Sequence, residues 1–170
     1  MSGEHPVAAP FAACREEQDM PPTRTAPPPT VLQSRRFGRL EVQADRIVTF
    51  PAGLLGFEEF HDYLRVAPEA LAPLTFLVAC DDPDVAFPIL PVEMCLADYA
   101  PKLPSDALEA LGARGGDALE VRAICALAPD TGTRHANLQG PVLINPVERL
   151  GCQVVLHDSP YSLRHLLGKV

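Results

Sequence analysis

The sequence predicts a mainly β fold: a small antiparallel sheet closed or rolled into a barrel, with one or two short helices. Three observations carry that prediction. Short β-rich runs recur along the chain, one segment has a clear helical signature, and prolines and glycines punctuate the intervals.

The first 34 residues stand apart. They hold seven of the 19 prolines, including Pro21-Pro22 and Pro27-Pro28-Pro29, and show neither a helical nor a strand period. Such a composition favours extended, polyproline-like backbone and offers little apolar surface to offset the entropy of ordering. Residues 1–34 are therefore predicted to be a disordered tail, and residues 35–170 the folded domain.

The domain opens with Phe37–Val42 and Arg46–Phe50, two β-rich runs separated by Gln43-Ala44-Asp45, which read as a hairpin. Pro51–Phe57 breaks the pattern, with Gly53 and Gly56 available for positive φ. Glu58–Tyr63 is a candidate helical turn. Further strands are expected at Tyr63–Val66, Leu74–Cys80, Ala86–Leu90, Leu119–Leu127, Ala136–Leu138, Val142–Ile144 and Gln153–Leu156. In the longest of these, Val121, Ala123, Cys125 and Leu127 share one face, and Arg122 and Ile124 mix on the other. The helical segment is Ser105–Leu111, with Ser105 or Asp106 as N-cap after Pro104, a stop at Gly112 and a flexible link at Gly115-Gly116.

Charge and cysteine usage exclude several classes. Residues 35–170 carry 12 basic against 18 acidic side chains, a net of −6, which repels phosphate at long range and argues against direct nucleic-acid binding. No run approaches the roughly 20 apolar residues of a membrane span, and no basic start leads into an apolar stretch, so neither anchor nor secretion signal is predicted. Five cysteines, at 14, 80, 95, 125 and 152, form no CxxC pair. They predict a reducing compartment without a disulfide framework or thiol-based zinc site.

Catalytic constellations are weak. His157, Asp158, Ser159, Ser162 and His165 supply the letters of a Ser-His-Asp triad but lack the braced nucleophile turn. Asp81-Asp82-Pro83-Asp84 gathers three carboxylates without the spacing of a Ca²⁺ loop and reads as turn chemistry. No metal or cofactor is expected. What remains are apolar side chains beside turn formers: Phe50, Leu54 and Phe57 in one segment, Phe87 in another, with Asp81, Asp82 and Asp84 close by. Rigid apolar turns rimmed by acids are the ingredients of a protein-binding hot spot. The same side chains could equally plug the barrel ends, and periodicity does not choose between the two.

Four ordered blocks then carry a resemblance. Phe37-Gly38 with Ile47–Glu58, Asp81–Phe87, Ala136–Asn145 and Arg149–Leu156 resemble the flagellar assembly factor FliW family, and Ser159–His165 fits as well. The likeness covers about residues 35 to 167. It implies a bacterial cytoplasmic regulator with a small antiparallel β-barrel and no catalytic activity. It further implies two partners, the RNA-binding translational repressor CsrA and flagellin, which competes for the regulator so that flagellin synthesis tracks export. The acidic domain suits a basic partner. Asn137, inside the third block, joins Phe50, Leu54, Phe57, Asp81, Asp82, Asp84 and Phe87 as a candidate partner contact. Gly140 stands where the family usually has Ala, Leu54-Leu55 replaces a more typical Ile-Pro, and residues 1–34 have no family counterpart. The alternative is a small-molecule-binding barrel or an unrecognised enzyme, which requires a pocket of converging titratable groups.

Overall fold

Val31–Ser34 and Gly38–Glu41 form an antiparallel hairpin, β1 and β2. Strand alternation buries Leu32 and Ser34 on one face, and Leu32 packs on Ile47, Leu64 and Cys80. Two expectations are thereby corrected. Val31–Ser34 belongs to the folded domain and not to the tail, because ladder pairing and the burial of Leu32 offset its ordering. Phe37–Val42 also pairs back onto β1 and not forward onto Arg46–Phe50. The computed structural model describes residues 30–113, 118–128 and 132–169, so the rest of the proposed tail, Cys14 and Gly115-Gly116 lie outside the described residues.

A 3-10 turn at Ala44–Arg46 leads into β3 (Ile47–Thr49), followed by β4 (Asp62–Val66), β5 (Thr75–Ala79) and β6 (Ala86–Pro91). Two short helices come next, α1 (Val92–Cys95) and α2 (Ser105–Ala110). The chain continues through β7 (Glu120–Ala128), β8 (Thr133–Ala136), β9 (Val142–Asn145), β10 (Leu150–Gln153) and β11 (His165–Lys169). Seven strands close a barrel in the order β7-β6-β5-β4-β3-β10-β9, with β9 returning to β7. All of these barrel pairings are antiparallel except β3–β10, which meets in parallel at Thr49 and Leu150. Beyond Ile124 the long β7 leaves the barrel and pairs with β8, which carries β11.

Inside the barrel lie Val48, Phe50, Leu54, Tyr63, Leu77, Ala79, Ile89, Val142 and Ile144. Every residue of β5 is buried, because Leu77 and Ala79 face this interior while Phe76 lies under Phe37, ring centroids 4.9 Å apart. The mainly β barrel with short helices is thus as expected, and several boundaries move. Both β8 and β10 begin upstream of their expected starts. Val154 and Leu156 are buried in a connection whose amides bond Pro141 O and Gln139 O at 3.0 and 2.8 Å. Helix α1 has too few residues to leave a periodic signal. Helix α2 ends at Gly112 (φ +62°) as expected, but its N-cap position is Pro104. The Asp106 carboxylate accepts from the adjacent Ala107 amide at 3.0 Å. Glu58–Tyr63 forms no helix; turns run into β4 there. Among the described residues no helix is long and apolar enough to cross a membrane.

Candidate functional site

Alternating strand direction brings residues 50–61, 80–85, 137–141 and the stretch after β10 to one end of the barrel. All eight candidate contacts sit in or beside these connections, yet the structure gives them different duties.

Phe50 is 0% exposed and Leu54 1%, so neither presents area to a partner. The Phe50 ring meets Tyr63 edge-on at 5.3 Å and fills the space over Gly151, where a Cβ would collide with it. The turn is fixed by backbone bonds, Gly53 N to Phe50 O at 2.9 Å and Phe57 N to Leu54 O at 2.8 Å. Gly53 adopts φ +68° and Gly56 φ +79°, and a Cβ on Gly53 would stand 2.6 Å from Glu58 Cα. This conformation turns Leu54 inward and Leu55 outward, leaving Leu55 53% exposed. The surface-facing leucine of the pair is therefore Leu55.

Phe57, Phe60, Val85 and Phe87 are half-buried and lie against the barrel core. Phe57 contacts Phe87 edge-on at 4.8 Å and stacks on Phe60 at 6.5 Å. Below them the Tyr63 hydroxyl is buried without a hydrogen-bond partner, and burial, then the charges of Glu59 and Glu58, push its pKa up to about 12. The fully exposed Glu58 carboxylate caps the turn by accepting from Gly56 N at 2.8 Å. That bond, and one to its own amide, lower its pKa.

The acidic turn divides the same way. Asp82 Oδ1 accepts from Asp84 N at 3.1 Å, which is the turn chemistry expected of Asp before Pro. Asp84 accepts from Arg35 N at 2.8 Å and Arg35 Nε at 2.7 Å, tying the β1–β2 turn to this end. Asp81 is exposed. Asn137 shapes its loop, its Oδ1 accepting from Gly140 N at 2.8 Å.

Gln153 went unnoticed in the sequence. Its Oε1 accepts from Leu55 N at 3.0 Å and its Nε2 donates to Gly140 O at 3.1 Å, so one side chain joins two loops. A polar residue inside an apolar run was the available signal, but its partners, Leu55 and Gly140, lie in other loops.

The opposite end is ionic. Arg65 on β4 donates two bonds, at 3.0 and 2.8 Å, to the Glu120 carboxylate on β7, and Arg122 adds two more at 3.1 and 2.8 Å. Burial alone would raise the Glu120 pKa; the bonds and charges of the two arginines outweigh it, and the pKa is lowered. Elsewhere, Ser159 Oγ donates to Leu156 O at 3.1 Å and His165 Nε2 lies 3.1 Å from Cys95 O, so these two candidates engage separate backbone carbonyls. Among the described residues no group of three His, Cys, Asp or Glu is placed to hold a metal ion.

This barrel, with its outer hairpin and looped end, is similar to that in a crystal structure of the flagellar assembly factor FliW. The TM-score is 0.74 at 28% identity, covering 81% of this chain and 96% of that one. The family model described as FliW protein matches residues 31–167, and the chain belongs to the FliW family. Curated relatives named flagellar assembly factor FliW include one from Geobacter sulfurreducens, 35% identical over 130 residues (76% of this chain, 81% of the relative). Another, from Natranaerobius thermophilus, is 34% identical over 137 residues (80% and 91%).

Proposed function

We propose that this chain is a non-enzymatic, cytoplasmic regulator of flagellum assembly that binds and antagonises CsrA and is itself bound by flagellin, coupling flagellin synthesis to export. Family membership across residues 31–167 is the observation that carries this reading. The chemistry of the looped barrel end supports it. Leu55 offers exposed apolar area on a turn held by the Gly53 N–Phe50 O and Phe57 N–Leu54 O bonds and by the Gln153 bracket, so little entropy is lost on docking. Asp81, Asp82, Glu58 and Glu59, all exposed in the connections at this barrel end, add negative charge suited to a basic RNA-binding protein.

The test is a binding measurement on the purified full chain with CsrA, followed by titration of flagellin. The expected result is a complex whose association slows as salt rises, and which flagellin dissolves. Absence of a complex with either protein at both low and physiological salt would overturn the proposal. A small-molecule or catalytic role finds less support. A groove of about 520 Å³ beside β6 and β7 is lined mostly by apolar side chains, with Cys125 and Arg134 its titratable groups among the described residues.

A further inference from the structure

Two of the cysteines stand in contact, on elements far apart in sequence. The Cys125 thiol is a hydrogen-bond neighbour of the Cys95 sulfur. Each also reaches a backbone carbonyl, Cys95 Sγ to Pro91 O at 3.6 Å and Cys125 Sγ to Ala123 O at 3.5 Å. The backbones beneath them are pinned. Cys125 on β7 lies opposite Ala136 on β8, Ala136 opposite His165 on β11, and His165 Nε2 lies 3.1 Å from the Cys95 carbonyl oxygen. Both cysteines are half-buried against Val92, Ala123, Ala136 and Leu138. Cys125 also lines the apolar groove, between Pro88, Leu90, Met94 and Leu167, and Met94 at its rim is 58% exposed. A small neutral oxidant therefore has a route to the pair. Cys80, by contrast, is buried under the β1–β2 hairpin.

We propose that Cys95 and Cys125 form a paired-thiol oxidation site that a hydroperoxide closes to a disulfide and a low-molecular-weight thiol reopens. The Cys95 thiolate attacks one peroxide oxygen and the O–O bond breaks, giving Cys95 sulfenic acid and, for hydrogen peroxide, hydroxide, which takes up a proton as water. The Cys125 sulfur then attacks the sulfenic sulfur. Its thiol proton leaves with the departing hydroxide as a second water, and the S–S bond forms. Two thiols lose two electrons and one peroxide is reduced to two waters. Two molecules of a monothiol return those electrons and emerge as their own disulfide. The order of attack follows from local chemistry. The hydrogen bond from Cys125 lowers the Cys95 pKa against the opposing effects of burial and Glu93, whereas the same bond and deeper burial push Cys125 up. In a reducing compartment such a bond is transient, in keeping with sensing and not with scaffolding.

The experiment treats the full-length protein with graded hydrogen peroxide, alkylates the remaining thiols and maps the peptides by mass spectrometry. A Cys95–Cys125 linked peptide should appear, with Cys95 consumed about tenfold faster than Cys80. In Cys125→Ser the reaction should stop at a Cys95 sulfenic acid trapped by dimedone, and in Cys95→Ser the Cys125 thiol should stay alkylatable. Phenylarsine oxide gives a readout on the unmutated fold: it should bridge this pair and protect both thiols together. The proposal is overturned if both remain alkylatable at peroxide levels that oxidise free glutathione. It is equally overturned if disulfides to Cys14, Cys80 or Cys152 form as readily, or if the arsenical protects neither thiol.

Discussion

At its looped end the barrel is stoppered by rings, with Phe57, Phe60 and Phe87 lying over Phe50 and Tyr63; at the other end Arg65 and Arg122 clasp Glu120. Aromatic packing is short-ranged but tolerant of direction, so half-buried rings can seal a core and still show an edge to water. A bidentate guanidinium–carboxylate pair fixes two strands at one separation and angle. The ionic end therefore clasps β4 to β7 across two intervening strands, while on the proposed function the aromatic end is where a partner docks. Substitutions at the two ends should differ in what they cost and in what they disturb.

The largest effect is expected at the floor of the aromatic end. Phe50→Ala empties a fully buried ring site between Tyr63 and Gly151 and should destabilise the protein by about 3–5 kcal/mol in denaturant unfolding. A cost below about 1 kcal/mol would mean that the rings are not the stopper.

Next comes the ionic end. Glu120→Gln leaves two arginines facing a neutral amide, and a loss of about 2 kcal/mol is expected. This is below the full cost of an orphaned buried charge, because the side chains of Arg65 and Glu120 remain 25% and 24% exposed. The pH dependence has a definite sign. Glu120 has a folded pKa below its ordinary 4.5, so its contribution is present above that value and lost as pH falls through the lowered one. Thermal melts at pH 7 and pH 3 should show the wild type losing more stability on acidification than Glu120→Gln. Equal losses would remove this carboxylate from the account.

A smaller change is expected from Gln153→Ala, which cuts the bracket between the two loops. About 1 kcal/mol of local stability is at stake, read as roughly fivefold faster amide hydrogen exchange at Leu55 with little change in global unfolding. The smallest stability effect belongs to the exposed Asp81. Asp81→Asn should leave stability within about 0.5 kcal/mol while slowing association with CsrA at low salt, the difference fading as salt rises. Identical association rates at every salt concentration would place the acidic contact elsewhere.

The β character, the positive-φ glycines at 53 and 56 and the stop at Gly112 were legible because each depends on its own few residues. The rest was not, for three physical reasons. β1 is four residues long and follows a proline cluster, so its pairing with β2 is its only strong signal. The inward turn of Leu54 against the outward turn of Leu55 is set by backbone dihedrals within one tight loop, to which a hydrophobicity pattern is blind. The Arg65–Glu120 pair and the Gln153 bracket join residues 55 and 98 apart in sequence, and only the closed barrel brings them together.

β7 is also shared between two structures that meet at one residue, Ile124, which pairs with Ile89 and whose carbonyl accepts from Asn137 N at 2.9 Å. Its pairings with β6 and β9 use Glu120 through Ile124, and its pairings with β8 begin at Cys125. Only Ile124 serves both ladders, so the β8–β11 ribbon has a crease beside it along which it can peel while the seven-stranded ring stays shut. Protection against exchange should therefore fall in a step along this one strand, between adjacent residues, and mark the frontier between a part of the molecule that opens often and a part that opens only when everything does.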